Sequence, residues 1–229
     1  MKQLIKKTLV ISAITFGLSA NQVHAVNGLG VGAGYGLFSG PTVELNYAIN
    51  PMFQVRGSLS TGMNFSETAS VNDVKFKVTN KEGGINRLAL NFHPFEGHFF
   101  LSAGYAFNAY KLEANGNASG SVKVGDTNFT GVNVNMKGDL EWNNAPSLSL
   151  GWGHSPTKGW GAMIEMGAVF TGAAKTNLNA TGSYNNGAID VSNDPAFQSA
   201  LREEERKLRK EVAKVDFMPI LQAQVTYRF

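Results

Sequence analysis

The chain has 229 residues, with Lys+Arg 20 against Asp+Glu 17, 26 glycines and no cysteine. That length suits one domain, and the missing cysteine excludes a disulfide scaffold, thiolate metal sites and a cysteine nucleophile. Only 16% of residues are charged while mean hydropathy is near zero, which fits neither a disordered chain nor a helical membrane protein. It fits strands that alternate apolar with polar side chains.

The net charge of +3 has a local source. Lys2, Lys6 and Lys7 precede the apolar run Thr8 to Leu18, and Val23-His24-Ala25 has the small-x-small pattern of an export-signal cleavage site. Cutting after Ala25 removes three positive charges and leaves 17 of each sign. The reading is a signal peptide over residues 1–25 and a mature unit over residues 26–229. The apolar run is too short to cross a bilayer as a helix, which takes roughly 20 residues.

From there the chain alternates with period two. The first predicted strand sets Leu29, Val31, Ala33, Tyr35 and Leu37 against Gly30, Gly32, Gly34 and Gly36. The second sets Val43, Leu45, Tyr47 and Ile49 against Thr42, Glu44, Asn46 and Ala48, and the third sets Phe53, Val55, Leu59 and Met63 against Gln54, Arg56, Ser58 and Ser60. The fourth carries Leu88, Leu90 and Phe92 opposite Arg87, Ala89, Asn91 and His93, and the fifth Phe99, Leu101, Tyr105 and Phe107 opposite Phe100, Ser102, Gly104 and Asn108. Pro146 to Trp152, Trp160 to Thr171 and Phe217 to Phe229 complete the set.

Eight strands form an even number, as a single-chain membrane barrel with both termini on the periplasmic side requires. Asn50-Pro51, Pro94 to Gly97 and Ser155 to Gly159 are tight turns for that side. The connections Ser66 to Gly84, Asn115 to Gly138 and Gly172 to Lys214 are long and therefore extracellular, while Phe38 to Pro41 is short. The aromatics Tyr35, Tyr47, Phe53, Phe92, Phe99, Trp142, Trp152, Trp160, Tyr227 and Phe229 fall near strand ends, as interfacial girdles do. A soluble barrel would give the same alternation with the faces reversed. The aromatic ends and the unequal connections favour lipid outside.

The fold expected is thus all-β, an eight-stranded antiparallel transmembrane β-barrel with a helix in the last extracellular loop. Its inward set is expected to line a pore with Glu44, Arg56, Arg87, Glu141, Glu165, Gln222, Gln224 and Arg228. Charges removed from water need partners, and Glu44 with Arg56, across one tight turn, is the expected pair. Glycine, alanine and serine elsewhere on this face suggest room for water, so that opposed acid and base groups could orient a zwitterion. A lumen filled by its own side chains is the alternative.

The stretches Leu90-Asn-Phe-His-Pro-Phe-Glu-Gly-His, Phe100-Leu-Ser-Ala-Gly-Tyr, Ala145-Pro-Ser-Leu-Ser-Leu-Gly-Trp-Gly, Trp160-Gly-Ala-Met-Ile-Glu-Met-Gly-Ala-Val-Phe-Thr-Gly and Asn193-Asp-Pro-Ala-Phe-Gln resemble a family of small proteobacterial outer-membrane barrels. A more distant resemblance is to the family of the carbapenem-associated, ornithine-uptake channel of Acinetobacter-type bacteria. The likeness spans most of the mature chain and its motifs are architectural. It implies the barrel fold, passive uptake of small solutes and a preference for basic amino acids, and it carries over no solute-binding residue.

In the last loop, Asn193 or Asp194 can cap a helix that opens with Pro195 and repeats Phe197, Leu201, Leu208 and Val212 near helical spacing. Glu203 with Lys207 and Glu205 with Arg209 are spaced for ion pairs. Val74, Phe76 and Val78 suggest strand in the second outer loop, and Val122, Val124, Gly125-Asp126 and Phe129 a hairpin in the third. An enzyme is not expected, because His93, His98 and His154 all fall at periplasmic turns, away from any outer-face nucleophile. No cofactor or metal is expected. The partners expected are outer-membrane lipid, lipopolysaccharide near the basic helix, the barrel assembly machinery through the strand ending at Phe229 and a small solute, with no nucleic acid.

Overall fold

A computed structural model describes residues 28–63, 66–71, 74–80, 83–153 and 158–229. The expected signal peptide, His154 and most of the expected Ser155 to Gly159 turn lie outside the described residues. The barrel strands are β1 (Leu29–Gly36), β2 (Gly40–Ala48), β3 (Phe53–Ser60), β6 (Ile85–Phe92), β7 (Phe99–Asn108), β10 (Ala145–Trp152), β11 (Gly159–Val169) and β14 (Met218–Arg228). They close in the order β1-β14-β11-β10-β7-β6-β3-β2, every pair antiparallel. All eight predicted strands are present. Closure removes the two unpaired sheet edges, which hydrocarbon could not hydrogen-bond.

The orientation of the alternation is settled by exposure. Leu45 is 56% exposed, Leu148 55%, Ile164 62% and Val225 55%, whereas the inward neighbours Glu44, Ser147, Glu165 and Gln224 are at 4% or below. A soluble barrel would bury the first set and wet the second, so the outward apolar belt faces lipid. At the periplasmic rim, ring pairs Phe53–Phe92 (5.2 Å) and Trp160–Tyr227 (5.1 Å) form the expected girdle. Trp142 does not belong to it. It is partly buried at the extracellular mouth, 5.8 Å from the Tyr110 ring, because it sits in the link between the outer-sheet strand ending at Glu141 and the wall strand beginning at Ala145.

Three outer connections fold together into a second, open sheet. Its strands are β4 (Ser66–Val71), β5 (Val74–Asn80), β8 (Lys111–Val124), β9 (Thr127–Glu141), β12 (Lys175–Tyr184) and β13 (Ile189–Asp190), in the order β13-β12-β9-β8-β5-β4. The strand alternation in the second loop and the hairpin in the third are both there. The last loop supplies β12 as well as its helix, α1 (Pro195–Val212). The Asp194 carboxylate caps α1 by accepting from the Phe197 N–H at 2.7 Å, and it also accepts from the Tyr184 hydroxyl at 3.1 Å.

Helix α1 lays Phe197, Ala200 and Leu201 on the apolar face of this sheet, against Val122, Val124, Phe129 and Val191. Glu205 pairs with Arg209 at 2.7 Å as expected. Glu203 instead pairs with Arg206, and Lys207 reaches Asp126 at 2.7 Å. Docking turns Lys207 toward the hairpin, which the one-dimensional spacing could not register. The Lys207 ammonium, by hydrogen bond and charge, holds the Asp126 carboxyl below its ordinary value of 3.8. A carboxyl lowered in the folded state adds stability above that value and loses it as pH falls through the lowered one. Amide exchange in α1 should therefore quicken slightly on acidification below about pH 4, with Asp126→Asn abolishing the dependence. The effect is small because both groups are exposed.

The closed lumen as candidate functional site

Inside the barrel, Glu165 on β11 is the hub. Its carboxylate, fully buried, accepts both Arg56 guanidinium N–H groups at 2.7 Å and both Arg87 groups at 2.8 Å. Ser149 donates to it at 2.5 Å and Gln222 at 2.7 Å. Arg56 also lies 3.5 Å from Glu44, donates to Ser102 at 3.3 Å and sits 5.6 Å from the Phe100 ring centroid. The β2–β3 register explains why Arg56 does not pair squarely with Glu44. Arg56 faces Asn46 and Glu44 faces Ser58, while the arginine's length carries it across the lumen to β11.

Of the residues expected to line a pore, Glu44, Arg56, Arg87, Glu165, Gln222, Gln224 and Arg228 are buried inside the barrel. Glu141 is not. It ends β9 in the outer sheet, half exposed and paired with Lys111, because β9 runs beyond the wall before the chain re-enters at Ala145.

The inner surface has three levels. Toward the extracellular end, Ile85, Ala106, Ala145, Val169, Met218 and Ile220 form an apolar plug. Tyr110 and Phe38 meet over it edge-on at 5.4 Å. Phe38 takes a left-handed backbone, φ 61°, which a side chain adopts only at a cost and which here places the ring over the mouth. Burial pushes the Tyr110 hydroxyl up to about 12, so it stays protonated. The charged cluster occupies the middle. Toward the periplasm lie Asn46, Gln54, Asn91, His93, Gln224 and Arg228, all buried.

The small residues do not leave the open path their size suggests. A Cβ at Gly151 would strike the Phe100 ring, and one at Gly104 would come within 2.8 Å of Ala89 Cβ. Opposing side chains fill the space each glycine vacates. The plug is also absent from the expected pore set, although its signal was in the sequence. The inward face of the last strand opens with Met218 and Ile220 before it turns polar.

Outside the membrane belt, a cavity of about 270 Å³ lies between the outer sheet and α1, lined by Phe76, Val78, Met136, Leu140, Leu178 and Leu208 among others. No group of three or more His, Asp or Glu residues suited to a metal exists among the described residues.

A closed eight-stranded cylinder with a lipid-facing apolar belt and a hydrogen-bonded polar interior is an outer-membrane β-barrel, and the chain resides in the bacterial outer membrane. No protein-family model matches the chain, and no curated protein does. Among solved structures it is similar to Acinetobacter baumannii CarO2, with TM-score 0.58 and 20% identity over 88% of this chain and 98% of that one. It is also similar to Acinetobacter baumannii CarO, with TM-score 0.57 and 21% identity over 90% of this chain and all of the other. At this identity the likeness establishes the fold, in agreement with the distant resemblance in the sequence.

Proposed function

We propose that this barrel is a narrow, gated route for passive diffusion of small polar or zwitterionic solutes such as amino acids, closed in the conformation described. The chain is exported by its N-terminal signal, assembled through the strand ending at Phe229 and non-enzymatic. One observation carries the reading: the middle of the lumen is closed by a network of opposite charges instead of apolar packing. A structural filler is made at least as stably from apolar residues of similar volume, since buried ion pairs scarcely recover their desolvation. Ion pairs also exchange partners. A solute carboxylate can take the place of Glu165 on the two arginines while its ammonium meets Glu44 or Glu165.

A second reading, a closed barrel that displays its outer sheet for surface interactions, is favoured by the apolar plug at Ile85, Val169, Met218 and Ile220. Planar-bilayer recording separates the two. Brief conducting steps in the wild type, with openings made more frequent by Glu165→Gln and altered by Arg56→Gln, are expected of a gated route. If wild type and both variants stay silent in salt and glycine, and glycine does not swell proteoliposomes, the closed reading replaces this one.

A further inference from the structure

Among the described residues, the five buried carboxylates and guanidiniums of the barrel do not balance. Arg56, Arg87 and Arg228 face only Glu44 and Glu165. Arg56 and Arg87 are taken up by the central cluster, while Arg228, 5% exposed, has no carboxylate within ion-pair distance among the described residues. Its Nη2 donates to Asn46 Oδ1 at 3.3 Å, and its Nε and Nη1 have no partner. A buried guanidinium without a counter-charge is costly. Four residues back on the same face, Gln224 is 4% exposed and has neither amide atom hydrogen-bonded.

These groups converge on one wall. In the β1–β14 pairing, Gly30 faces Arg228 and Gly34 faces Gln224. A Cβ on Gly30 would touch Asn46 Oδ1 at 2.5 Å, and one on Gly32 would touch Gln224 Oε1 at 2.8 Å. The glycine stripe of β1 is the floor beneath them at the periplasmic end of the lumen, with Arg228 and Asn46 joined over Gly30 and the Gln224 amide over Gly32, the next inward residue.

We propose that this corner is a binding site for a small monoanion of carboxylate type, entered from the periplasm, with Arg228 supplying charge and two N–H donors and the Gln224 side chain an amide N–H. The anion completes the charge balance of the interior and satisfies the donors that the protein leaves unpaired. A free carboxylate and the carboxylate of a zwitterionic solute share this chemistry. The site does not require that the lumen conducts, so a silent barrel leaves it standing.

The experiment is a titration of refolded wild-type protein, labelled with nitrogen-15 on arginine, with acetate and separately with glycine. The Nε–Hε signal of Arg228 is assigned from its loss in Arg228→Lys, or by elimination with Arg56→Lys and Arg87→Lys if the first variant does not fold. A saturable shift of Arg228 with acetate, much smaller at Arg56 and Arg87, is expected. Gln224→Leu should weaken it roughly tenfold, and Gln224→Met serves if leucine does not fold. Tighter binding of glycine than acetate would assign the site to a zwitterionic solute, and equal binding to free anions. An unmoved Arg228 signal, a shift linear in concentration, or equal shifts at all three buried arginines would overturn the proposal.

Discussion

Replacing Glu165 with leucine is expected to destabilise the folded barrel by about 3–5 kcal/mol, the loss typical when one member of a buried charge network is removed. Six hydrogen bonds end on this carboxylate. Without it, Arg87 keeps no acidic partner and Arg56 keeps only Glu44 at 3.5 Å. The penalty is thus mostly that of two stranded cations. Exchanging all four charges of the central cluster together, Glu165→Leu with Arg56→Met, Arg87→Leu and Glu44→Gln, should cost far less than the single change, because the cluster then leaves no stranded charge behind. Urea unfolding in lipid vesicles, followed by tryptophan fluorescence, measures both. An unchanged midpoint for the single variant would mean that water already solvates these arginines, and the closed lumen would have to be abandoned.

The second large effect is local. Phe197 is fully buried between the Phe129 ring at 4.8 Å and the Tyr184 ring at 6.2 Å, on a face where α1 otherwise buries only Ala200 and Leu201. Phe197→Ala should cost about 3–5 kcal/mol of helix docking. That is more than a hundredfold in the opening equilibrium of α1. Hydrogen exchange should show the α1 amides accelerated by that factor while β1, β11 and β14 keep wild-type protection. Acceleration of the barrel strands to the same degree would mean that head and barrel unfold as one unit.

How far the fold could be read depended on contrast between faces. Leu45 beside Glu44, or Leu148 beside Ser149, alternates in a way that a two-faced strand explains, and every wall strand carries such pairs except β1, which sets glycine against its apolar face. In β12 the sequence Lys-Thr-Asn-Leu-Asn-Ala-Thr-Gly-Ser-Tyr has a single large aliphatic residue, so its apolar side disappears among short polar residues and only the partner β9 defines it. The helix was legible because Asp194, Pro195 and the Phe197–Leu201 spacing are local signals.

The site was less legible for a geometric reason. Alternation tells which side chains point inward, and it placed Glu44, Arg56, Arg87, Glu165 and Arg228 together inside. It does not tell which of them share a depth, since that depends on strand order and stagger. Hence the contact between Arg56 and Glu165, distant in sequence and across the cylinder, replaces the nearer Glu44 as the dominant pair. Glu141 fails for a related reason, because polar and apolar residues go on alternating in the sequence from the outer-sheet strand β9 toward the wall strand β10, with nothing to mark where the wall begins.

The outer sheet joins three surface connections by backbone ladders, from β4 and β5 through β8 and β9 to β12 and β13. Small barrels are often treated as scaffolds whose outer loops can be grafted, trimmed or tagged independently. Here a foreign peptide spliced into the middle of β8 would interrupt hydrogen bonding both to β9 of its own connection and to β5 of a neighbouring one. Sites for epitope insertion are confined to turn tips such as Gly187, where an added Cβ would meet nothing within 4 Å, because Asn185 and Asn186 bond back to β9 and Asp126 pairs with Lys207 of α1.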